Sequence, residues 1–248
     1  MKRNIFLIGL TLILFLPLTS KAQFDDLMKG VKNVLGGNKQ TGNALSDDQI
    51  AAGLKEALNV GTGNAVNLVS QIDGFNSNEL IKILLPSELK TVEKTARQFG
   101  MGAQFDELIL SMNRAAETAS KSAAPIFIDA IKDMTINDAL KILNGRENEA
   151  TLYFKDKTEA KLTEVFSPIV TDAMNQVGVA KTYKDLTSNI KSIPFVNVKV
   201  TDIDQYVTSK TLDGLFTMIA KEEVNIRENP SARINDLLKD VFGGSSKP

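Results

Sequence analysis

Two charged residues near the end of the chain are the first candidates for chemistry. Glu223 and Arg227 stand four residues apart in a stretch whose apolar side is set by Leu212, Phe216, Ile219 and Ala220. At helical phase Glu223 projects within about 20° of the centre of that side, and Arg227 falls on it one turn later. Charged residues rarely face a core without partners. Two readings are open. The pair is a structural ion link, with the Arg stem lying along apolar surface. Alternatively, Arg227 together with Arg233 grips a ligand carboxylate or phosphate.

Arg114 and Glu117 form a second set, close to Glu107 and Lys121. They lie opposite the apolar stripe of their own helix, and Glu117 precedes Lys121 by four residues, the favourable order for a helical ion pair. This is either a solvated, salt-bridged face or the polar lining of a cleft. Arg114 is also a candidate partner for Glu223, if its helix is covered on both sides. The candidate ligand-binding residues are therefore Arg227, Arg233, Glu223 and Arg114. No catalytic residue and no metal ligand is assigned.

The absences narrow the chemistry further. The 248 residues contain no His and no Cys. Serine–histidine triads, histidine bases, thiol catalysis, disulfides and the usual zinc sites are excluded. Any catalysis rests on Asp, Glu, Lys, Ser, Thr, Tyr, Arg or a bound cofactor, and no cofactor is expected. The acid pairs Asp25-Asp26, Asp47-Asp48 and Glu222-Glu223 are adjacent in sequence, so on a helix they diverge by about 100°. Asp202-Ile203-Asp204 lacks the central Gly and closing Glu of a calcium loop. Gly61-Thr62-Gly63 has no strand before it and no Gly-Lys-Ser/Thr after it, so it is not a phosphate-binding loop.

The chain opens with Lys2-Arg3, an apolar run from Ile5 to Leu18, and Ser20-Lys21-Ala22. That order is a secretory signal peptide, with cleavage expected after Ala22. The run is too short for a membrane span, and no later run approaches spanning length. Without Cys the mature start cannot be a lipid-anchored cysteine. The formal charge is −1 with 29 basic and 30 acidic residues. The leader carries only basic charge, so the mature chain is mildly acidic, which gives no footprint for nucleic acid.

The remaining chain reads as helices. The longest stripe runs from Gln104 to Met134 through Phe105, Leu108, Ile109, Met112, Ala116, Ala119, Ala123, Ile126, Phe127 and Ala130. Pro125 lacks an N–H and must kink or split it. Ahead of it, Ser46 and Gln49 form a capping box for a helix that Gly61–Gly63 interrupts and Asp73-Gly74 stops. A short helix is expected over Asn78–Leu84, and another between Pro86 and Gly100. Behind it, Thr135 and Asp138 cap a helix ending at Asn144-Gly145. Glu147–Val177 follows, kinked at Pro168 and closed by Gly178. Tyr183, Leu186, Ile190 and Ile193 make a further helical face. Ser192–Thr201 is an extended connector, Ile203–Glu228 a long helix, and Asn229-Pro230 opens a last one. Phe24–Leu35 is a short amphipathic helix tethered by the Gly-rich stretch 36–43.

The expected organisation is a signal peptide (1–22), a short helix with linker (23–43), one all-α, bundle-like domain around the long central helix (44–243), and a tail (244–248). The periplasm, or secretion, is the expected location. The expected function is non-enzymatic binding of a protein partner or an apolar small molecule. An enzyme using carboxylate, Ser/Lys or Tyr chemistry is the alternative.

Four segments occur together in this order: Met112-Asn113-Arg114-Ala115-Ala116-Glu117, Pro125-Ile126-Phe127, Ala150-Thr151-Leu152-Tyr153-Phe154, and the run from Glu222 through Asn229-Pro230 to Arg233. On these segments, from about Ala44 to Phe242, the chain resembles the bacterial family labelled domain of unknown function 4197. The resemblance implies an envelope protein of Gram-negative bacteria. It implies no biochemical activity and carries over no catalytic residue.

Overall fold

The computed structural model describes residues 46–100, 102–176, 183 and 202–228, with all their side chains except those of Val92 and Ala96. Among them the regular structure is helical throughout and no strand occurs, so the fold is all-α.

Helix α1 (Asp47–Val69) starts at the expected capping box. Ser46 accepts from the Gln49 amide, and the Gln49 side chain accepts from the Ser46 amide. Contrary to expectation, Gly61–Gly63 does not interrupt it. Gly61 is a contact point instead. A Cβ there would lie 3.0 Å from Ile226 Cδ1, so the missing side chain lets another helix in. The helix ends before Asp73, whose φ is +66°. Gly74 is required next, because a Cβ would sit 2.4 Å from the Leu68 carbonyl oxygen.

The expected helix over Asn78–Leu84 does not form. The chain turns and then extends, so that Ile81, Ile83 and Leu85 are buried alternately while Leu84 is exposed. That is the two-residue period of extended backbone. Pro86 favours this course, since the residue before a proline is pushed out of helical geometry. We call residues 70–86 the strap. A tight turn at Ser87–Leu89 leads into α2 (Lys90–Gln98), and Gly100 follows with φ +78°.

The long stripe splits into α3 (Gly102–Ser120) and α4 (Ala123–Asp133). The break falls at residues 121–122 rather than at Pro125 itself. A proline clashes with the carbonyl four residues back, here that of Lys121, and is tolerated in a first turn. Helix α5 (Ile136–Asn144) has its Thr135–Asp138 capping box. Helix α6 (Glu149–Gln176) runs through Pro168, and α7 (Ile203–Glu228) has the bounds its periodicity predicts.

The α3–α4 pair packs against α1, α6 and α7, as its stripe requires. Phe127 of α4 meets Phe154 of α6 and Phe216 of α7 edge to face, with ring centroids 5.4 and 6.3 Å apart. Tyr183 is helical and buried. Arg233 lies outside the described residues. So do the segments expected over Phe24–Leu35, Gly178, Leu186–Ile193, Ser192–Thr201 and the helix after Asn229.

Candidate functional site

Glu223 and Arg227 do meet, on the inner side of α7. Glu223 Oε1 accepts from Arg227 Nη2 at 2.8 Å and Nε at 3.2 Å. The Glu223 side chain is 5 % exposed and that of Arg227 17 %. Neither reaches for Arg114; both reach the junction between α5 and α6. The amides of Ala150 and Thr151 each donate to Glu223 at 2.9 Å, and the Thr151 hydroxyl donates at 2.8 Å. Those amides belong to the first turn of α6, where no intrahelical acceptor exists. Arg227 Nη2 donates to the Ile142 carbonyl at 2.8 Å, and Nη1 lies 3.5 Å from that of Leu143. Those carbonyls end α5. The acid thus sits at a helix N-terminus and the base at a helix C-terminus, each complementing the local dipole.

Two small spaces beside this pair, lined by Glu223 together with Leu58 and Ala150, measure about 10 Å³ each. That is near the minimum for one water. A ligand phosphate does not fit there. The geometry favours the structural ion link over the anion grip.

Glu117 is also turned inward and is 4 % exposed, which overturns the solvated-face reading. Lys121 is not its partner, because Lys121 falls in the break after α3 and loses helical phase. Glu117 Oε1 accepts the amides of Phe75 at 3.1 Å and Asn76 at 3.3 Å; Oε2 accepts from Arg114 Nη1 at 2.7 Å. Arg114 Nη2 donates to Asp73 at 2.8 Å. Arg114 is therefore not the partner of Glu223. Glu117 raises the Arg114 pKa, and the hydrogen bond from the Asn76 side-chain Nδ2 is the leading cause of a lowered Asp73 pKa, with Arg114 adding to it.

Asn113, fully buried, completes this clamp. It accepts the Ile83 amide at 2.9 Å and donates to the Ile83 carbonyl at 2.9 Å, as a neighbouring strand would. The sequence reading missed Asn113 and Asp73. A buried Asn beside Met112 in the apolar stripe was the available signal. It also missed Thr151, whose role depends on contact with α7.

A recess of ligand size opens between α3 and α6, about 490 Å³, lined in part by Ser111, Arg114, Ile169 and Asp172. Tyr153 and Tyr206 donate their hydroxyls to the Ala130 and Leu84 carbonyls. Among the described residues no cluster of acidic side chains is arranged to hold a metal ion. No described helix is long and apolar enough to cross a membrane.

Each segment that carries the family resemblance has described residues with a place, the last of them only up to Glu228. Asn113, Arg114 and Glu117 hold the strap, Phe127 joins three helices, Ala150 and Thr151 receive Glu223, and Glu223 and Arg227 join α5 to α6. Comparison with curated proteins and with solved structures returns no match. A family model described as protein of unknown function (DUF4197) matches residues 44–243, and the chain belongs to that family.

Proposed function

We propose that the protein is an exported, non-catalytic binding protein of the cell envelope. The observation that carries this reading is the use to which the buried carboxylates are put. Glu117 and Glu223 each accept two backbone amides and an arginine of the same domain. A general acid or base needs a proton site open to substrate, and these oxygens are committed to holding a strap and a helix junction. Two tyrosine hydroxyls are likewise committed to backbone carbonyls. The ligand-sized recess lies away from Glu223 and opens to solvent. Export rests on the leader: its basic start, apolar run and Ser20-Lys21-Ala22 fit a signal peptidase site.

The test is to isolate the protein from its own periplasm and examine it intact by native mass spectrometry. A chain beginning at Gln23 and carrying a bound small molecule or protein supports the reading. A chain beginning at Met1 in the membrane fraction, or turnover of a substrate that survives loss of every bound species, contradicts it.

A further inference from the structure

Asn144 ends α5 and Gly145 follows it, the one Asn-Gly pair in the chain. Such a pair has chemistry of its own. The backbone nitrogen after an asparagine attacks the side-chain Cγ. A cyclic succinimide closes as the N–Cγ bond forms, the Cγ–Nδ2 bond breaks, and ammonia leaves with the proton of the attacking amide. Water then opens the ring to aspartate or isoaspartate. A side chain on the second residue hinders the attack, and glycine has none. Both Asn144 and Gly145 are exposed to solvent water. Packing fixes the glycine: a Cβ there would lie 2.5 Å from Glu149 Cγ and 2.7 Å from the Lys141 carbonyl oxygen.

The folded chain holds this reaction back in three ways. Asn144 has helical backbone, and ring closure requires its ψ to turn away from the helical value. Its Nδ2, part of the leaving group, donates to the Leu140 carbonyl at 2.9 Å. The Gly145 amide, the attacking group, donates to the Ile142 carbonyl at 3.3 Å. That same carbonyl accepts Arg227 Nη2 at 2.8 Å. The guanidinium therefore holds in place the acceptor that occupies the nucleophile. Attack on Asn144 needs the last turn of α5 to open, a local event with its own free energy.

We propose that Asn144 is a site of spontaneous deamidation gated by Arg227. The pair reacts when the last turn of α5 opens, and the joint to α7 limits that opening. The product carries a carboxylate at the carbonyl end of a helix, where negative charge is unfavourable, and it loses the donor to Leu140. Isoaspartate also lengthens the backbone by a methylene. Conversion therefore loosens the joint that held the site.

The experiment incubates the mature protein in mildly alkaline buffer and follows the peptide containing Asn144 by mass spectrometry, which reads the change from amide to acid. Folding of each variant is checked by circular dichroism. The folded wild type should convert slowly and the urea-unfolded wild type fast. Arg227→Ala should convert about tenfold faster than the folded wild type, because the rate follows the open population and one hydrogen bond from a charged donor is lost. Arg227→Lys keeps the charge without the forked reach and should convert at a rate between the two, which decides the matter if Arg227→Ala does not fold. Asn113→Ala weakens the strap and not α5, so its rate should match the wild type. Asn144→Gln should show no conversion at this position. No conversion in the urea-unfolded chain would overturn the site. Equal rates in the folded wild type and Arg227→Lys, or the same acceleration in Asn113→Ala as in the Arg227 variants, would overturn the gate.

Discussion

Glu223 and Arg227, one turn apart on α7, satisfy opposite ends of two consecutive helices. The carboxylate accepts from the free amides that open α6, and the guanidinium donates hydrogen bonds to the carbonyls that close α5. Residues 145–148 connect the two helices in sequence; the ion pair connects them through α7. A charged pair at the centre of an apolar face thus adds to the C-cap at Gly145, whose amide also donates to the Ile142 carbonyl.

Thr151 tests the acid's half of this arrangement with little change in shape. Thr151→Val removes the hydroxyl that donates to Glu223 but keeps the backbone amide in place. It should cost about 1 kcal/mol, the usual net worth of one hydrogen bond. Urea denaturation measures it, and an unchanged midpoint would show that the hydroxyl contributes nothing.

The strap depends on Asn113. Asn113→Ala leaves the amide and carbonyl of Ile83 buried without partners, at a cost of about 1–3 kcal/mol. Hydrogen exchange at Ile83 and its neighbours should quicken while α6 and α7 remain protected. Unchanged protection at Ile83 would mean that something other than Asn113 holds the strap.

Two glycines should respond to alanine with opposite signs. Nothing lies within 4 Å of a Cβ placed on Gly63, inside α1, so Gly63→Ala should stabilise by about 0.5–1 kcal/mol through helix propensity. A Cβ on Gly74 meets the Leu68 and Val69 carbonyl oxygens at 2.4 and 2.7 Å. Gly74→Ala should destabilise by about 1–3 kcal/mol, as overpacking does. Melting temperatures that move in the same direction would refute the described backbone at one of the two sites.

Asp138 gives a pH dependence of known sign. Its bonds from the Thr135 hydroxyl and amide lower its pKa in the folded state. The stabilisation it brings is complete above the unfolded carboxylate value, near pH 4, and is lost as pH falls through the lower folded value. Stability of the wild type should therefore fall more between pH 5 and about pH 2 than that of Asp138→Ala. Parallel curves for the two proteins would show that the capping box is not formed in solution.

Much of this architecture was legible from periodicity. The bounds of α7 follow from a stripe that runs from Ile203 to Glu228, just before the Asn229-Pro230 expected to open a further helix. The position of α5 follows from Thr135 and Asp138, and the split of the long stripe follows from Pro125. The failures share one cause, a partner distant in sequence. Residues Leu80 to Leu85 include one polar side chain, Lys82, so period alone does not distinguish helix from extended chain. Asn113, 30 residues away, decides the matter by binding Ile83 on both sides. Gly61 read as an interruption because Ile226, which fills its place, comes from α7. The burial of Glu223 was legible from phase, whereas the amides it binds lie 72 and 73 residues away.

The central claim is that Glu223 and Arg227 form a structural joint and not a ligand grip. A double-mutant cycle by chemical denaturation, with Glu223→Ala, Arg227→Ala and the pair, measures it most directly. The account predicts a loss of roughly 3–5 kcal/mol for Glu223→Ala, because removal of one partner strands a buried charge. It also predicts a double mutant much less destabilised than the sum of the single losses. Additive losses under about 1 kcal/mol each, the signature of a solvated pair, would contradict it.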